Sequence, residues 1–314
     1  MHYFYGPVYS RRLGFSLGVD LLPAKICSYG CVYCQLGKTG RTTTKRFVCV
    51  DLKKFKQQLK NLLIVPPRID YITISGSGEP TLHKNLDKII TAINLVTHHK
   101  YPVAVITNSS LLSNRSVRRE LLNADLIIPS LDACNETMFK QIDNPDKSIS
   151  FAQVLQGVIQ LRREFKGEFW LEIMVVKGIN DNKNAFLEFK ALVEKIKPDK
   201  VHINLPQRPA PHTKRNLMPA AQKVREFKNI LGKVAAVVVS RAKKRRAKPH
   251  EGFKDTILVS LKRRPQTIDD LAGALQLDYP SLKRSLTDLT KTKQIKAVQK
   301  NNKTHFVYLD KAQR

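Results

Sequence analysis

The sequence predicts an α/β fold, an open, partial (βα)6 TIM-like barrel followed by a small second domain. Between Tyr71 and Asn204 the chain repeats an apolar strand, a polar turn and an amphipathic helix, which is typical of a parallel sheet. The 314 residues, 42% of them hydrophobic, are enough for one large core and a smaller one. Because a run of basic residues divides the two parts, we expect domains at 1–239 and 253–314, joined by a basic linker at 240–252.

The strands of the barrel are predicted from short apolar runs bounded by turn residues. An early strand lies around Ser16 to Asp20, and the later ones are predicted at 70–75, 103–107, 126–131, 170–176, 201–205 and 234–239. Helical spacing of apolar residues fills the intervals, as at 86–96 and 154–165. The first six of these strands give six βα units, which are too few to close an eight-fold barrel, and in such folds the chemistry gathers at the C-terminal ends of the strands.

The C-terminal domain has its own pattern of three helices and a hairpin. The predicted elements are a helix at 253–261, a second helix opened by Thr267 with Asp270 at the capping-box position, a third helix starting at Asp278, and strands at 295–299 and 304–309. Three helices followed by a hairpin resemble a winged-helix domain. The resemblance rests on architecture and not on a sequence motif.

The chain is strongly basic, with 55 Lys and Arg against 26 Asp and Glu and a formal charge of +29. Such a charge attracts polyanions, of which nucleic acid is the commonest; a solvated Lys-rich surface is the alternative explanation. The last 74 residues carry 19 Lys and Arg against 7 Asp and Glu, about twice the net charge density of the rest. Lys283, Arg284, Lys291 and Lys293 fall on or after the third helix, where a winged helix would meet a phosphate backbone.

The cysteines indicate a metal site in a reducing compartment. Five cysteines are an odd number, and Cys27, Cys31 and Cys34 crowd into eight residues, which is unlike a disulfide framework. No secretory signal or membrane-spanning run is recognisable, so we expect a cytoplasmic protein that does not bind membranes. Three soft thiolates on a glycine-containing stretch suit an iron–sulfur cluster with one iron left open.

Two other interpretations of the three cysteines remain open on residue chemistry alone. Zinc would need a fourth ligand, for which His83, Cys49 and Cys134 are candidates. The three thiols could also be buried on one face of a helix.

The spacing Cys-x3-Cys-x2-Cys, with Tyr33 before the last cysteine, resembles the signature of the radical S-adenosylmethionine (SAM) superfamily. The resemblance implies a [4Fe–4S] cluster on the three cysteines, SAM chelated at the open iron, and an external electron donor such as flavodoxin or ferredoxin. It also implies that reductive cleavage of SAM yields a 5′-deoxyadenosyl radical that abstracts hydrogen from a substrate. Segments 5–8, 10–14, 18–20 and 34–37 look like an Fe–S oxidoreductase branch related to the tRNA-wyosine synthases.

The strand ends add further positions that resemble the family's SAM contacts. The segment Gly76, Ser77, Gly78 and Glu79 resembles the Gly-Gly-Glu motif that meets the SAM amino group, with Ser77 breaking the glycine pair. Read without the family, the segment is a tight strand-to-helix turn.

Later strand ends carry the remaining predicted cofactor contacts. Asn108, Ser130 and Asp132 are similar to family positions that hold the ribose and carboxylate of SAM, although these residue types also cap helices. Tyr33 matches the position whose backbone meets the adenine, while its ring could equally serve packing. Arg11, Arg12, Asn204 and Arg208 are expected near the mouth of the site, or as surface residues.

Three hypotheses for the function follow. The preferred one is a radical SAM enzyme that acts on RNA, with tRNA or DNA gripped by the basic linker and the winged helix. The second keeps the chemistry but assigns a peptide, protein or small metabolite as substrate, and the third is a non-catalytic Fe–S DNA-binding regulator. The strand-end motifs argue against the third, because a redox sensor needs no SAM pocket.

Overall fold

A computed structural model of the chain describes residues 2–10, 12–22, 25–37, 42–64, 68–208, 210–213, 215–238, 253–263, 265–275, 278–300 and 303–309. The predicted basic linker at 240–252 lies outside these residues, as does Arg11. Within the described ranges, every helix is too short or too polar to span a membrane.

One mixed sheet organises the N-terminal part of the chain. Its strands lie side by side in chain order: β1 (Phe4–Ser10), β2 (Gly14–Val19), β3 (Tyr71–Ile74), β4 (Val103–Thr107), β5 (Leu126–Pro129), β6 (Glu168–Met174), β7 (Lys200–Asn204) and β8 (Ala235–Val237). The pair β1–β2 is antiparallel, and β2 to β8 are parallel. The predicted α/β class with a partial TIM-like barrel is confirmed, and β1 is an additional strand that was not predicted.

Helices connect the parallel strands, because a parallel pair needs a long crossover connection. They are α1 (Leu52–Leu62), α2 (Leu86–Thr97), α3 (Arg115–Leu121), α4 (Glu136–Asp143), α5 (Phe151–Glu164), α6 (Lys183–Ile196) and α7 (Ala221–Leu231). Side-chain caps start several of them: Asn114, Asn135 and Asn182 accept backbone N–H groups, and Ser150 forms a full capping box with Gln153. These polar residues place the helix starts directly after the loops at the strand ends.

The two faces of the sheet bury different sets of residues. On β6, Phe169, Leu171 and Ile173 belong to the main core beneath the helices. Trp170 points to the opposite face, because neighbouring side chains of a strand alternate, and packs there with Leu13 from the β1–β2 turn. The inner face of the sheet therefore receives the N-terminal hairpin turn.

The C-terminal segment, residues 253–309, forms three helices and a small antiparallel sheet. Its elements are α8 (Phe253–Arg263), β9 (Gln266–Thr267), α9 (Ile268–Leu275), α10 (Tyr279–Lys291), β10 (Ile295–Lys300) and β11 (Lys303–Tyr308), with strand order β10-β11-β9. The predicted capping box is present, since the N–H of Asp270 donates to Thr267 Oγ1 and the N–H of Thr267 to Asp270 Oδ2. Strand β9 was not predicted, and the identification as a winged helix and the domain boundaries stay predictions.

Candidate active site

The three cysteines lie on an irregular loop, residues 25–37, that follows β2; we call it the cysteine loop. The N–H of Gly30 donates to the carbonyl oxygens of Asp143 and Asn144, both at 3.0 Å, and the N–H of Val32 donates to that of Ile142 at 2.9 Å. A Cβ on Gly30 would come within 2.9 Å of Asn144 Nδ2, so glycine permits this approach. The cysteine loop is therefore fixed against the C-terminal end of α4.

The thiols occupy a dry environment in which an isolated thiolate is unfavourable. Burial, with the nearby Glu79 carboxylate adding to it, raises the pKa of Cys27 to about 12. Burial raises the pKa of Cys31 well above its usual value, and Asp143 raises it further. Because a metal or cluster supplies positive charge that offsets this cost, the site suits thiolates only when they are ligands.

The donor set fits an iron–sulfur cluster better than zinc. Within the described residues no three His, Cys, Asp or Glu side chains converge on a position where one metal ion could sit. The candidate fourth zinc ligands are engaged or buried elsewhere, as the Cys49 thiol donates to the carbonyl oxygen of Leu21 at 2.7 Å. A cubane cluster carries each thiolate on a separate iron, so three cysteines spaced along one loop satisfy it. The loop is not a helix, and the interpretation as a row of helical thiols is wrong.

The glycine segment 76–79 packs against the start of the cysteine loop. A Cβ on Gly78 would lie 1.8 Å from the carbonyl oxygen of Ile26, which accepts the N–H of Glu79 at 3.1 Å. Gly76 has a φ of +139°, and its Cβ would lie 2.5 Å from Asp20 Cγ. Ser77 donates through Oγ to Asp20 Oδ2 at 2.6 Å. Glycine is thus required at 78 by the close approach of the Ile26 backbone, and at 76 by the positive φ and the nearby Asp20 side chain, whatever ligand the segment also meets.

Glu79 is a buried carboxylate that joins two strand ends. Its Oε1 accepts from Thr107 Oγ1 at 2.6 Å and from both the N–H and the hydroxyl of Thr81, and its Oε2 accepts the N–H of Asn108 at 2.7 Å. Burial raises the pKa of Glu79, while these hydrogen bonds oppose the shift. Glu79 therefore ties the loop after β3 to the end of β4, and its contact with the SAM amino group stays a prediction.

Asn108 connects the end of β4 to the cysteine loop. Its Nδ2 donates to Ser28 Oγ at 3.0 Å and lies 3.5 Å from Cys27 Sγ, while its Oδ1 accepts the N–H of Ser110. It does not cap a helix, because α3 begins later, at Arg115, behind its own cap. An amide that donates to a ligand sulfur is the type of interaction that tunes iron–sulfur sites.

Near its end the cysteine loop contacts two buried carboxyl groups, those of Asp132 and Asp143. The Tyr33 hydroxyl donates to Asp132 Oδ2, and the N–H of Met174 donates to Asp132 Oδ1 at 2.7 Å. Burial raises the pKa of Asp132 to about 6. Burial, together with the neighbouring Asp132, raises the pKa of Asp143 well above its usual value, and Asp143 Oδ1 lies 3.5 Å from Cys31 Sγ. The acidic pair thus stands beside the thiols of the cysteine loop.

A small pocket opens between these groups. Its polar lining consists of Tyr29, Tyr33, Asn108, Ser130, Asp132 and Asp143. The structure therefore brings four of the predicted SAM contacts, Tyr33, Asn108, Ser130 and Asp132, to one cavity. The predicted segment 76–79 does not line it and instead packs behind Cys27. Tyr29 and Asp143 were not predicted as site residues from the sequence. Tyr29 lies between Cys27 and Cys31, so the cysteine motif could have pointed to it.

Of the residues expected at the mouth, Arg12 and Asn204 meet at one carboxylate, whereas Arg208 contacts a different part of the chain. Arg12 reaches from the β1–β2 turn across the inner face of the sheet and forms an ion pair with Glu172 on β6. Asn204 Nδ2 donates to the same carboxylate at 3.1 Å. Arg208 lies apart from them, against the C-terminal segment. Glu172 was not predicted, because an acidic residue inside an apolar strand has no sequence signal of its own.

Fold and cysteine loop together agree with the comparison with known families. A model described as the radical SAM superfamily matches residues 21–189. The chain therefore belongs to the radical SAM superfamily and is an enzyme of that class.

Several individual proteins are similar to it. A protein of Brachyspira hyodysenteriae named GTPase Obg is 38% identical over 294 residues, covering 93% of this chain and 43% of that protein. A UPF0026 protein of Methanocaldococcus jannaschii is 35% identical over 207 residues, covering 65% of this chain and 64% of that protein. A Listeria welshimeri protein described as the dual-specificity RNA methyltransferase RlmN is 24% identical over 189 residues, covering 57% and 50%. The chain thus spans less than two thirds of the length of each of these relatives.

Solved structures share the fold. A structure of TYW1 with a lysine-pyruvate adduct bound superposes with a TM-score of 0.54 at 17% identity, over 72% of this chain and 75% of that one. A radical SAM methyltransferase from Sphaerobacter thermophilus gives 0.51 at 18% identity, over 71% and 65%. At these identities the likeness concerns the fold alone.

Proposed function

We propose that this enzyme uses a [4Fe–4S] cluster on Cys27, Cys31 and Cys34 to cleave SAM reductively and to modify RNA, with tRNA as the expected substrate. The observation that carries the proposal is the pocket beside the cysteine loop, because it gathers residues predicted from two separate strand ends and from the loop itself. The cluster and SAM together supply a carbon radical that abstracts hydrogen.

The chain's own residues position the cofactors. Asn108 donates towards the sulfur of Cys27, and Glu79 holds Asn108 by its backbone N–H. Asp132 is buried and held by Tyr33, so its carboxylate is available as a fixed acceptor for a hydroxyl or as a partner for a cationic group of SAM. Phe139 and Val154 add apolar surface to the lining of the pocket.

The charge of the chain supports RNA as the substrate class. Lys283 and Arg284 on α10, and Lys291 and Lys293 at its end, are exposed in the structure. Exposed Lys and Arg on one helix and its end attract a phosphate backbone in a salt-dependent manner. The distant similarity to a protein described as an RNA methyltransferase points in the same direction.

The radical chemistry is tested with protein reconstituted anaerobically with iron and sulfide. Addition of SAM and a strong one-electron reductant should release 5′-deoxyadenosine and methionine. Failure of a cluster-loaded protein to cleave SAM would leave only the regulator hypothesis.

The substrate class is tested by tRNA binding over a range of salt concentrations. The double variant Lys283→Glu/Arg284→Glu should weaken binding and lower the slope of log K against log salt by about 2, because two phosphate contacts are removed. The matched control is Lys190→Glu/Lys195→Glu, which makes the same charge change on the exposed face of α6. Equal losses in both variants would show that only total charge matters.

The reaction itself is identified by mass spectrometry of tRNA nucleosides from a deletion strain. We expect one modified nucleoside to be missing and to return when the gene is restored. An unchanged nucleoside profile, together with SAM cleavage that is stimulated by peptides or metabolites and not by tRNA, would overturn RNA as the substrate.

A further inference from the structure

Helix α9 contacts both ends of the sheet. It packs against β1, the first strand in the sheet order, as α8 does also. At the same time Asp270 on α9 faces Arg208, which follows β7, the last strand but one, with Oδ1 at 3.8 Å from Arg208 Nη2. A helix of eight residues can touch both ends only where the curved sheet brings them near each other. The C-terminal segment therefore lies across the open side of the partial barrel.

The contact at Arg208 is a buried polar seam, which we define by Arg208, Asp270, Lys300 and His305. Lys300 Nζ donates to the carbonyl oxygen of Arg208 at 3.0 Å, and burial lowers the pKa of this ammonium group. Arg208 and His305 are 7% and 3% exposed. Such burial is unlike that of a loosely tethered surface and allows charge pairs to define one orientation.

The seam lies at the end of the sheet where the candidate active site is. Arg208 comes shortly after Asn204, the last residue of β7. Strands β4 and β5 of the same parallel sheet are followed by the pocket residues Asn108 and Ser130. In a parallel sheet all these positions share the C-terminal edge. A module held at this edge is a boundary of the substrate entrance.

We infer that the C-terminal segment is a fixed wall of the substrate entrance, and that Arg208 and Asp270 are positioning residues that hold a nucleic acid bound on α10 in register with the pocket. The nature of the substrate rests on the proposed function, whereas the closure of the barrel's open side does not. The seam residues do not need to touch the RNA. They set the distance and angle between the exposed basic residues of α10 and the cysteine loop.

The test uses the full-length, cluster-loaded protein and two seam variants. Arg208→Gln removes the guanidinium but keeps the carbonyl oxygen that Lys300 binds, and Asp270→Asn keeps an oxygen able to accept the N–H of Thr267. The matched control is Asp288→Asn, which breaks the exposed pair with Lys254 inside the same segment. Hydrogen exchange of the β1 amides should speed up in both seam variants and stay unchanged in the control.

Activity measurements separate positioning from binding. In the seam variants we expect single-turnover modification of tRNA to fall about tenfold, because misplaced reactants lose effective molarity, while the Kd for tRNA and substrate-free SAM cleavage stay within about twofold of wild type. Unchanged exchange in β1 of both variants would overturn the closure, and a parallel loss of tRNA affinity would overturn the positioning role. If wild-type protein modified no tRNA, the proposed function would fail, and the exchange experiment would still decide the closure.

Discussion

Glu79 Oε2 accepts a hydrogen bond from the backbone N–H of Asn108 at 2.7 Å, and the side chain of Asn108 in turn lies 3.5 Å from Cys27 Sγ. A single buried carboxylate thus connects the loop after β3, the end of β4 and the first cysteine of the loop. Its other oxygen is saturated by Thr81 and Thr107. The glycine segment consequently has a structural function at the site that is independent of any contact with SAM.

Replacing Glu79 by Gln should destabilise this junction. The amide NH₂ would face N–H or O–H donors wherever it is placed, leaving at least one of them unsatisfied in a buried site. We expect the free energy of unfolding, measured with urea on the apo protein, to fall by about 1–3 kcal/mol. Glu194→Gln, on the exposed face of α6, is the control and should change it by no more than about 0.5 kcal/mol. Equal stability of the two variants would contradict the hydrogen-bond assignment.

Cys31→Ala should abolish the cluster, whereas Cys49→Ala should retain it. Cys31 lies in the cysteine loop next to Asp143. Cys49 lies outside the loop, and its thiol donates a hydrogen bond to the carbonyl oxygen of Leu21. Iron and acid-labile sulfide content after anaerobic reconstitution measure the difference, and 5′-deoxyadenosine release should follow the iron. Loss of iron in the Cys49 variant would place a ligand outside the loop, and SAM turnover by the Cys31 variant would exclude it as a ligand.

The parallel strands could be predicted because strands buried on both faces are continuous apolar runs, as at 103–107 and 126–131. Strand β1 could not be predicted in this way, because Phe4–Ser10 contains Gly6 and Pro7. The strand lies at the edge of the sheet, where proline is tolerated. Its pairing with β2 depends on the hairpin turn and on the contact with α9. Neither leaves a periodic pattern in the sequence.

The site shows the same division between local and non-local information. The three cysteines and Tyr33 form a local motif, and Asn108, Ser130 and Asp132 follow predicted strand ends, so the sequence was sufficient to name them. Asp143 approaches Cys31 across 112 residues, a contact that only the packing of α4 under the cysteine loop creates. The spacing of residues in one sequence could therefore not identify Asp143 as a neighbour of Cys31.

His83 should make the protein less stable in acid. Burial lowers its pKa from 6.5 to about 4, while the charges of Glu120 and Arg46 act in opposite directions. Between these two values the unfolded chain binds more protons than the folded one, so the free energy of unfolding falls as the pH falls through this interval. His83→Leu should therefore lose less stability between pH 7 and pH 4 than wild type, measured by urea midpoints.

The control for the acid effect is an exposed histidine. His99→Leu, just after α2, makes the same substitution at an exposed site, and the change of slope in His83→Leu is measured against it. The effect of His83→Leu should be partial, because burial lowers the pKa of His202 to about 4 as well. A slope identical to that of wild type in the His83 variant would show that its ring is protonated or hydrated in the folded state.

Removing one partner of the Arg12–Glu172 pair should lower the free energy of unfolding more than replacing both partners by apolar residues. The side chains are only 18% and 10% exposed, so Arg12→Met leaves a buried carboxylate with the Asn204 amide as its remaining described partner. We expect a loss of about 3–5 kcal/mol in the free energy of unfolding, and a smaller loss in Arg12→Met/Glu172→Met, because two apolar side chains need no compensation. Lys254→Met, which breaks a pair about half exposed, should cost less than about 1 kcal/mol. A double variant less stable than Arg12→Met would mean that Glu172 is stabilised mainly by groups other than Arg12.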